Sequence, residues 1–177
     1  MNLLWLYRGF TFVLVSIISL VVIAFCAHTS TNLDKILAAF ELEGSFPYTN
    51  LGIAVGAITI VSKVLLLALD FFIDNTFTSF IIFEISWSSI LWILWISVGA
   101  TTLSEGNTIF KGHTCDDFDV VLPAAKNICD DIHPIAIIAF VNAFLLFLYT
   151  GVLFFAAFTT SSSTPPWTTS LKNRNKF

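Results

Sequence analysis

"IAIIAFVNAFLLFLYTGVLFFAAF", Ile135 to Phe158, runs for 24 residues without one charged side chain. A helix needs about 20 mostly apolar residues to cross the ~30 Å hydrocarbon core of a bilayer, so this stretch is long enough. Three more stretches of the same kind precede it. They are Gly9 to Ala27, Leu51 to Leu69 and Phe77 to Gly99, of 19, 19 and 23 residues. The expected fold is therefore all-α: a four-helix transmembrane bundle within residues 1–160, followed by a tail over 161–177. The first stretch has only Arg8 as a preceding basic charge, which is little for a cleaved signal peptide. It reads as a true membrane helix.

Composition agrees. Hydrophobic residues make up 56% of the chain and charged residues 11%, against ~25% charged in a soluble domain. Such a chain cannot hide its apolar surface within itself in water, so part of its solvent must be lipid. The few basic residues form no patch, which excludes a nucleic-acid partner.

Lys and Arg near the span ends set orientation. Arg8 precedes the first span, and Lys172, Arg174 and Lys176 follow the fourth. The loops after spans one and three are acidic instead, with Asp34, Glu41 and Glu43 in one and Glu105, Asp116, Asp117, Asp119, Asp130 and Asp131 in the other. Both termini are predicted to be cytoplasmic. The link "DFFIDNT" between spans two and three has no basic residue and says little.

"KGHTCDDFDVVLPAAKNICDDIHP", Lys111 to Pro134, then lies outside or in a lumen. It holds two of the three cysteines, two of the three histidines and five aspartates. In an oxidising compartment cysteines pair, and Cys115 and Cys129 are expected to form a disulfide. Closing a ring of this size contributes about 3 kcal/mol in the chain-entropy model. The alternative is zinc held by His113, Cys115, Cys129 and His133, but zinc fingers place Cys beside Cys and His beside His. "DDFD" lacks the alternation and the glycine of a calcium loop; its aspartates read as a solvated rim. Pro123 reads as a turn before a short helical segment. No Cys-x-x-Cys, no histidine within a span, no serine-nucleophile motif and no phosphate-cradling loop is present. Neither an enzyme nor a cofactor is expected. Cys26 reads as a small buried residue.

Two charges fall inside the spans, Lys63 and Glu84. Intramembrane charges are expensive and normally pair. Both lie about 10 Å from the inner ends of their helices at ~1.5 Å per residue. A Lys63–Glu84 ion pair is therefore expected, with Asp70 below it. The functional alternative is an ion or proton relay. Gly52 and Gly56 form a Gly-x-x-x-Gly step, which lets helix backbones approach closely. They share a stripe with Lys63 and Asp70, with Thr59 beside it. Ser19 and Asn142 lie at matching depth, and a hydrogen bond between them is expected. Trp95 suits the outer interface, whereas Trp87 and Trp92 are deep enough to pack on helices or lipid tails. "TNLDKILAAFELEG" opens with Thr31-x-x-Asp34 and ends at Gly44, which predicts a separate amphipathic helix on the outer surface. The Ser/Thr/Pro-rich tail reads as a flexible cytoplasmic extension.

Four spans, a Cys pair in the second outer loop and "FEISWSSILWILWISVGAT" together resemble the MARVEL-domain family, particularly its fungal type. Glu84, Trp92, Trp95 and Ala100 fit its third helix. "NICDDIHPIAIIAFVNAFLLFLYTGVLF" is similar to its segment from cysteine to fourth helix. The first outer loop has neither Trp nor Cys, unlike claudins, and no Cys-Cys-Gly is present, unlike tetraspanins. The resemblance implies membrane organisation in trafficking, microdomains or apposition, at the plasma membrane or a secretory or vesicle membrane. Its partners would be membrane lipids and further copies of the chain. A small transporter or channel subunit using Lys63 and Glu84 is the alternative from another class.

From the charge asymmetry, both termini should resist protease added outside intact cells, while the loop from Ala100 to Pro134 should label. A C-terminal tag that labels from outside overturns the four-span arrangement.

Overall fold

No glycine or proline stands between Phe10 and Glu43, so nothing in this stretch breaks a helix. In the computed structural model it belongs to one continuous helix, α1 (Leu3–Phe40). The expected separate surface helix after Thr31 is thus corrected. Thr31 caps nothing: its Oγ1 donates back to the carbonyl of His28 at 2.8 Å, in mid-helix. The structure describes residues 3–40, 46–72, 81–111, 115 and 123–159. Three further helices follow: α2 (Pro47–Phe72), α3 (Ile81–Ile109) and α4 (Pro123–Thr159). There is no strand among the described residues. The tail, residue 44 and most of the Cys115–Cys129 loop lie outside them, as do the start of span three and the side chain of Asp70.

Each helix is long and apolar enough to cross a membrane. α1 and α4 are longer than a crossing requires. Their 38 and 37 residues span about 55 Å, against ~30 Å of hydrocarbon. Most of the excess lies at one end. There α1 continues past Ala27, α3 continues past Gly99, and α4 starts well before Ile135. Pro47 and Pro123 each occupy a first helical position, where a missing N–H costs nothing. Pro123 therefore opens α4 itself, not a detached segment. Pro134 stands inside α4 and removes the helical donor for the carbonyl of Asp130.

The helices form a ring. α1 packs on α2 and α4, and α3 packs on α2 and α4, while the diagonal pairs do not touch through their backbones. The buried positions explain this. On α1 they include Arg8, Phe12, Val15, Ser19, Val22, Cys26 and Thr29; on α3, Glu84, Ser88, Leu91, Trp95, Val98 and Thr102. Spacing alternates between four and three, the 3.5-residue period of a left-handed bundle. The outer faces are apolar, with Phe155 71% and Phe10 66% exposed, while Lys63 and Glu84 are fully buried. This partition suits lipid as the surrounding medium. Hydroxyls that face outward are tied down: Ser86 and Ser97 each donate to the carbonyl four residues earlier, at 2.9 and 3.1 Å.

Trp95 requires a second correction. It is fully buried, and its Nε1 donates to Thr59 Oγ1 at 3.1 Å. The interface placement assumed that α3 ends near Gly99, but the helix runs on to Ile109. Trp92 is partly buried on the side of the bundle, edge-on to Phe147 with centroids 5.7 Å apart.

At the long end of the bundle, Cys115 and Cys129 form a disulfide with Cα atoms 5.6 Å apart. It ties the start of α4 to the chain that follows α3.

Gly52 and Gly56 seat α2 on α1. A Cβ at Gly52 would lie 2.7 Å from Cys26 Sγ, and one at Gly56 would lie 2.7 Å from Ile23 Cγ1 and 3.4 Å from the Ser19 carbonyl. A Cβ at Gly151 would meet nothing within 4 Å. Gly56→Val is expected to destabilise by about 1–3 kcal/mol through overpacking. Gly151→Ala is expected to stabilise by about 0.5–1 kcal/mol, from the lower entropy of the unfolded chain. Unfolding of detergent-solubilised protein measures both. Shifts of equal sign and size would contradict close packing at Gly56.

Candidate functional site: a charged layer inside the bundle

Burying an ionised side chain without partners is prohibitive in a medium of low dielectric. Near the end of the bundle away from the disulfide, three such side chains converge. Glu84 comes from the first turn of α3, and its Oε1 accepts from Arg8 Nε of α1 at 2.8 Å. The same oxygen accepts from Tyr149 OH of α4. Lys63 of α2 donates from Nζ to Ser88 Oγ at 2.9 Å. Its ammonium also lies 4.3 Å from the Phe12 ring centroid and 5.7 Å from that of Tyr149. The Arg8 guanidinium carbon lies 5.4 Å from the Phe12 centroid. Phe12 thus offers its ring to both cations, and Tyr149 meets it edge-on with centroids 5.4 Å apart.

The expected Lys63–Glu84 pair is therefore corrected. Glu84 pairs with Arg8, and Lys63 turns to Ser88 and the aromatic rings. The physical reason is the register of α1. That helix begins at Leu3, so Arg8 stands within its second turn and is 1% exposed. Sequence reading treated Arg8 as a flanking charge outside the membrane and missed its role. A signal was present: Arg8, Phe12, Val15 and Ser19 follow one alternating stripe. Arginine also suits this position better than lysine. Its long stem reaches across the bundle, and its charge is effectively permanent.

One layer higher the buried polar groups are an amide and a hydroxyl. Asn142 Nδ2 donates to Ser19 Oγ at 3.1 Å, and Ser19 Oγ donates on to the Val15 carbonyl at 2.7 Å. Asn142 Oδ1 and Glu84 Oε2 are buried without a hydrogen-bond partner. Beyond Asn142 the core becomes apolar, through Val22, Val55, Val98 and Ala139, none more than 2% exposed. Cys26 is buried and free of disulfide. Among the described residues, no three His, Cys, Asp or Glu side chains converge in a way that could hold a metal. The layer can neutralise charge and bind its helices together.

A comparison with known families, with known proteins and with solved structures finds no match to this chain.

The geometry separates the two cations by what their loss leaves behind. Glu84→Leu takes a buried carboxylate away from Arg8, and Arg8→Met takes the guanidinium away from Glu84. Each should destabilise by about 3–5 kcal/mol, as breaking buried pairs does. Together they should recover much of that loss, because no uncompensated charge remains from the pair. Lys63→Met should cost clearly less, since it removes a cation together with its own burial penalty. Thermal unfolding in one detergent compares all four proteins. A loss for Lys63→Met equal to that for Glu84→Leu would restore the Lys63–Glu84 pairing.

Proposed function

We propose that this chain is a non-enzymatic integral membrane protein of the MARVEL type. In this reading it organises membranes by self-association and by contact with lipid. Its termini face the cytoplasm, and it resides in the plasma membrane or in a secretory or vesicle membrane. The observation that carries the reading is the closed apolar layer of Val22, Val55, Val98 and Ala139. It interrupts the polar groups of the core, and a solute or ion following the bundle axis would have to cross it without a polar partner. The chemistry offered outward is apolar. A groove of about 320 Å³ between α3 and α4 is lined by Trp92, Ile96, Phe140, Ala143, Phe144 and Phe147. Phe144 and Phe147 are 59% and 54% exposed. Such a surface takes acyl chains or a neighbouring helix by van der Waals packing.

The transporter or channel reading draws on one observation, the buried and unpartnered Glu84 Oε2 and Asn142 Oδ1. Unpaired acceptors of this kind can serve an ion or proton path.

Reconstitution separates the two. Under the scaffold reading, proteoliposomes show no proton or ion flux above protein-free vesicles, and cross-linking in native membranes yields homo-oligomers. Flux abolished by Glu84→Gln would replace the scaffold with a conducting role. A monomer in native lipid, without flux, would leave self-association without support and remove the mechanism proposed.

A further inference from the structure

At the disulfide end, α1 meets α4 through a chain of polar side chains whose proton positions can be deduced. Lys35 Nζ donates to Asn32 Oδ1 at 3.2 Å. An ammonium only donates, so the amide oxygen must face Lys35. The amide nitrogen then faces His28 Nε2, at 3.3 Å. An amide nitrogen also only donates, so Nε2 must be the acceptor and carry no proton. The ring proton of neutral His28 is therefore on Nδ1, which donates to Asp131 Oδ2 of α4 at 2.7 Å. Thr29 Oγ1 donates to the same oxygen at 3.1 Å. Lys35 thus sets the tautomer of His28 through Asn32, one helical turn at a time.

This order cannot survive a second ring proton. When Nε2 gains one it becomes a donor facing a donor, and the Asn32 amide must rotate for Oδ1 to accept from it. The amide nitrogen then faces Lys35, and two donors confront each other again. Asn32 is 3% exposed and confined, whereas Lys35 is exposed and free to leave. Meanwhile Nδ1 still donates to Asp131, now as an ion pair. We propose that His28, Asn32 and Lys35 form a proton-operated latch: protonation of His28 rotates the Asn32 amide, releases the Lys35 ammonium to solvent and tightens α1 on Asp131 of α4.

The surroundings permit this. The His28 side chain is 55% exposed and so in exchange with solvent protons, while that of Asp131 is 12% exposed and held in place. Among the described residues, the ionisable groups bonded into the network with His28 are Asp131 of α4 and Lys35 of α1. Asp131 of α4 also acts on Cys26 of α1 and Tyr48 of α2, and Glu105 of α3 acts on Tyr48. In acid the latch would present a free ammonium beside an imidazolium, a positive patch where neutral pH offers a bonded one. The inference goes beyond the scaffold reading and does not depend on it.

The test is nitrogen-15 NMR of the full chain in phosphatidylcholine nanodiscs, labelled at His, Asn and Lys. The titration runs from about pH 8 to about pH 5, the range in which histidine changes charge. At the alkaline end His28 should carry its proton on Nδ1. Through the His28 midpoint, the Asn32 amide and Lys35 signals should move together, with loss of the Lys35–Asn32 contact. In Asn32→Asp a carboxylate accepts from both neighbours, so the Lys35 contact should persist across the whole range. In Asn32→Leu the Lys35 signal should no longer follow His28. The proposal is overturned if neutral His28 carries its proton on Nε2. It is also overturned if the Lys35 contact survives His28 protonation in the parent, or is lost alike in the parent and Asn32→Asp.

Discussion

The bond from Arg8 to Glu84 is the constraint around which the bundle is arranged. Lipid supplies no partner for a charge, so a buried carboxylate and a buried guanidinium are drawn together. They stand on α1 and α3, diagonal helices that do not meet through their backbones. Only a long side chain can cross that gap. Tyr149 of α4 shares the same carboxylate oxygen, and Lys63 of α2 lies against the Phe12 and Tyr149 rings. One layer thereby engages all four helices and fixes their rotation. Once those phases are set, the alternating stripes carry Leu91, Trp95 and Val98 inward on α3 and Val15, Ser19 and Val22 inward on α1.

The two ends of the molecule are held by different chemistry. In the charged layer, attraction acts in a dry medium where alternatives are absent. The middle holds by close packing, with Gly52 and Gly56 bringing α2 onto α1. The disulfide end uses a covalent bond and a solvent-accessible network of His28, Thr29, Asn32 and Asp131. Hydrogen bonds there compete with water and are weaker, which is also what allows a proton to rearrange them.

The sequence by itself determined the class: four long apolar stretches, with too little charge for a soluble domain, form an all-helical chain whose helices can cross a membrane. It also pointed to the Cys115–Cys129 bond, because two cysteines in one loop expected outside the membrane have few other fates. Hydrophobicity and redox chemistry are local properties, legible residue by residue. Helix ends were less legible, since a polar residue such as Asp131 reads as loop until a neighbouring helix gives it partners. Only the tertiary structure decided which cation meets Glu84. Depth along a helix is set by sequence spacing, and Lys63 matched Glu84 in depth. Direction around the axis is set by all four helices at once, and it placed Arg8 on the carboxylate and Lys63 on Ser88.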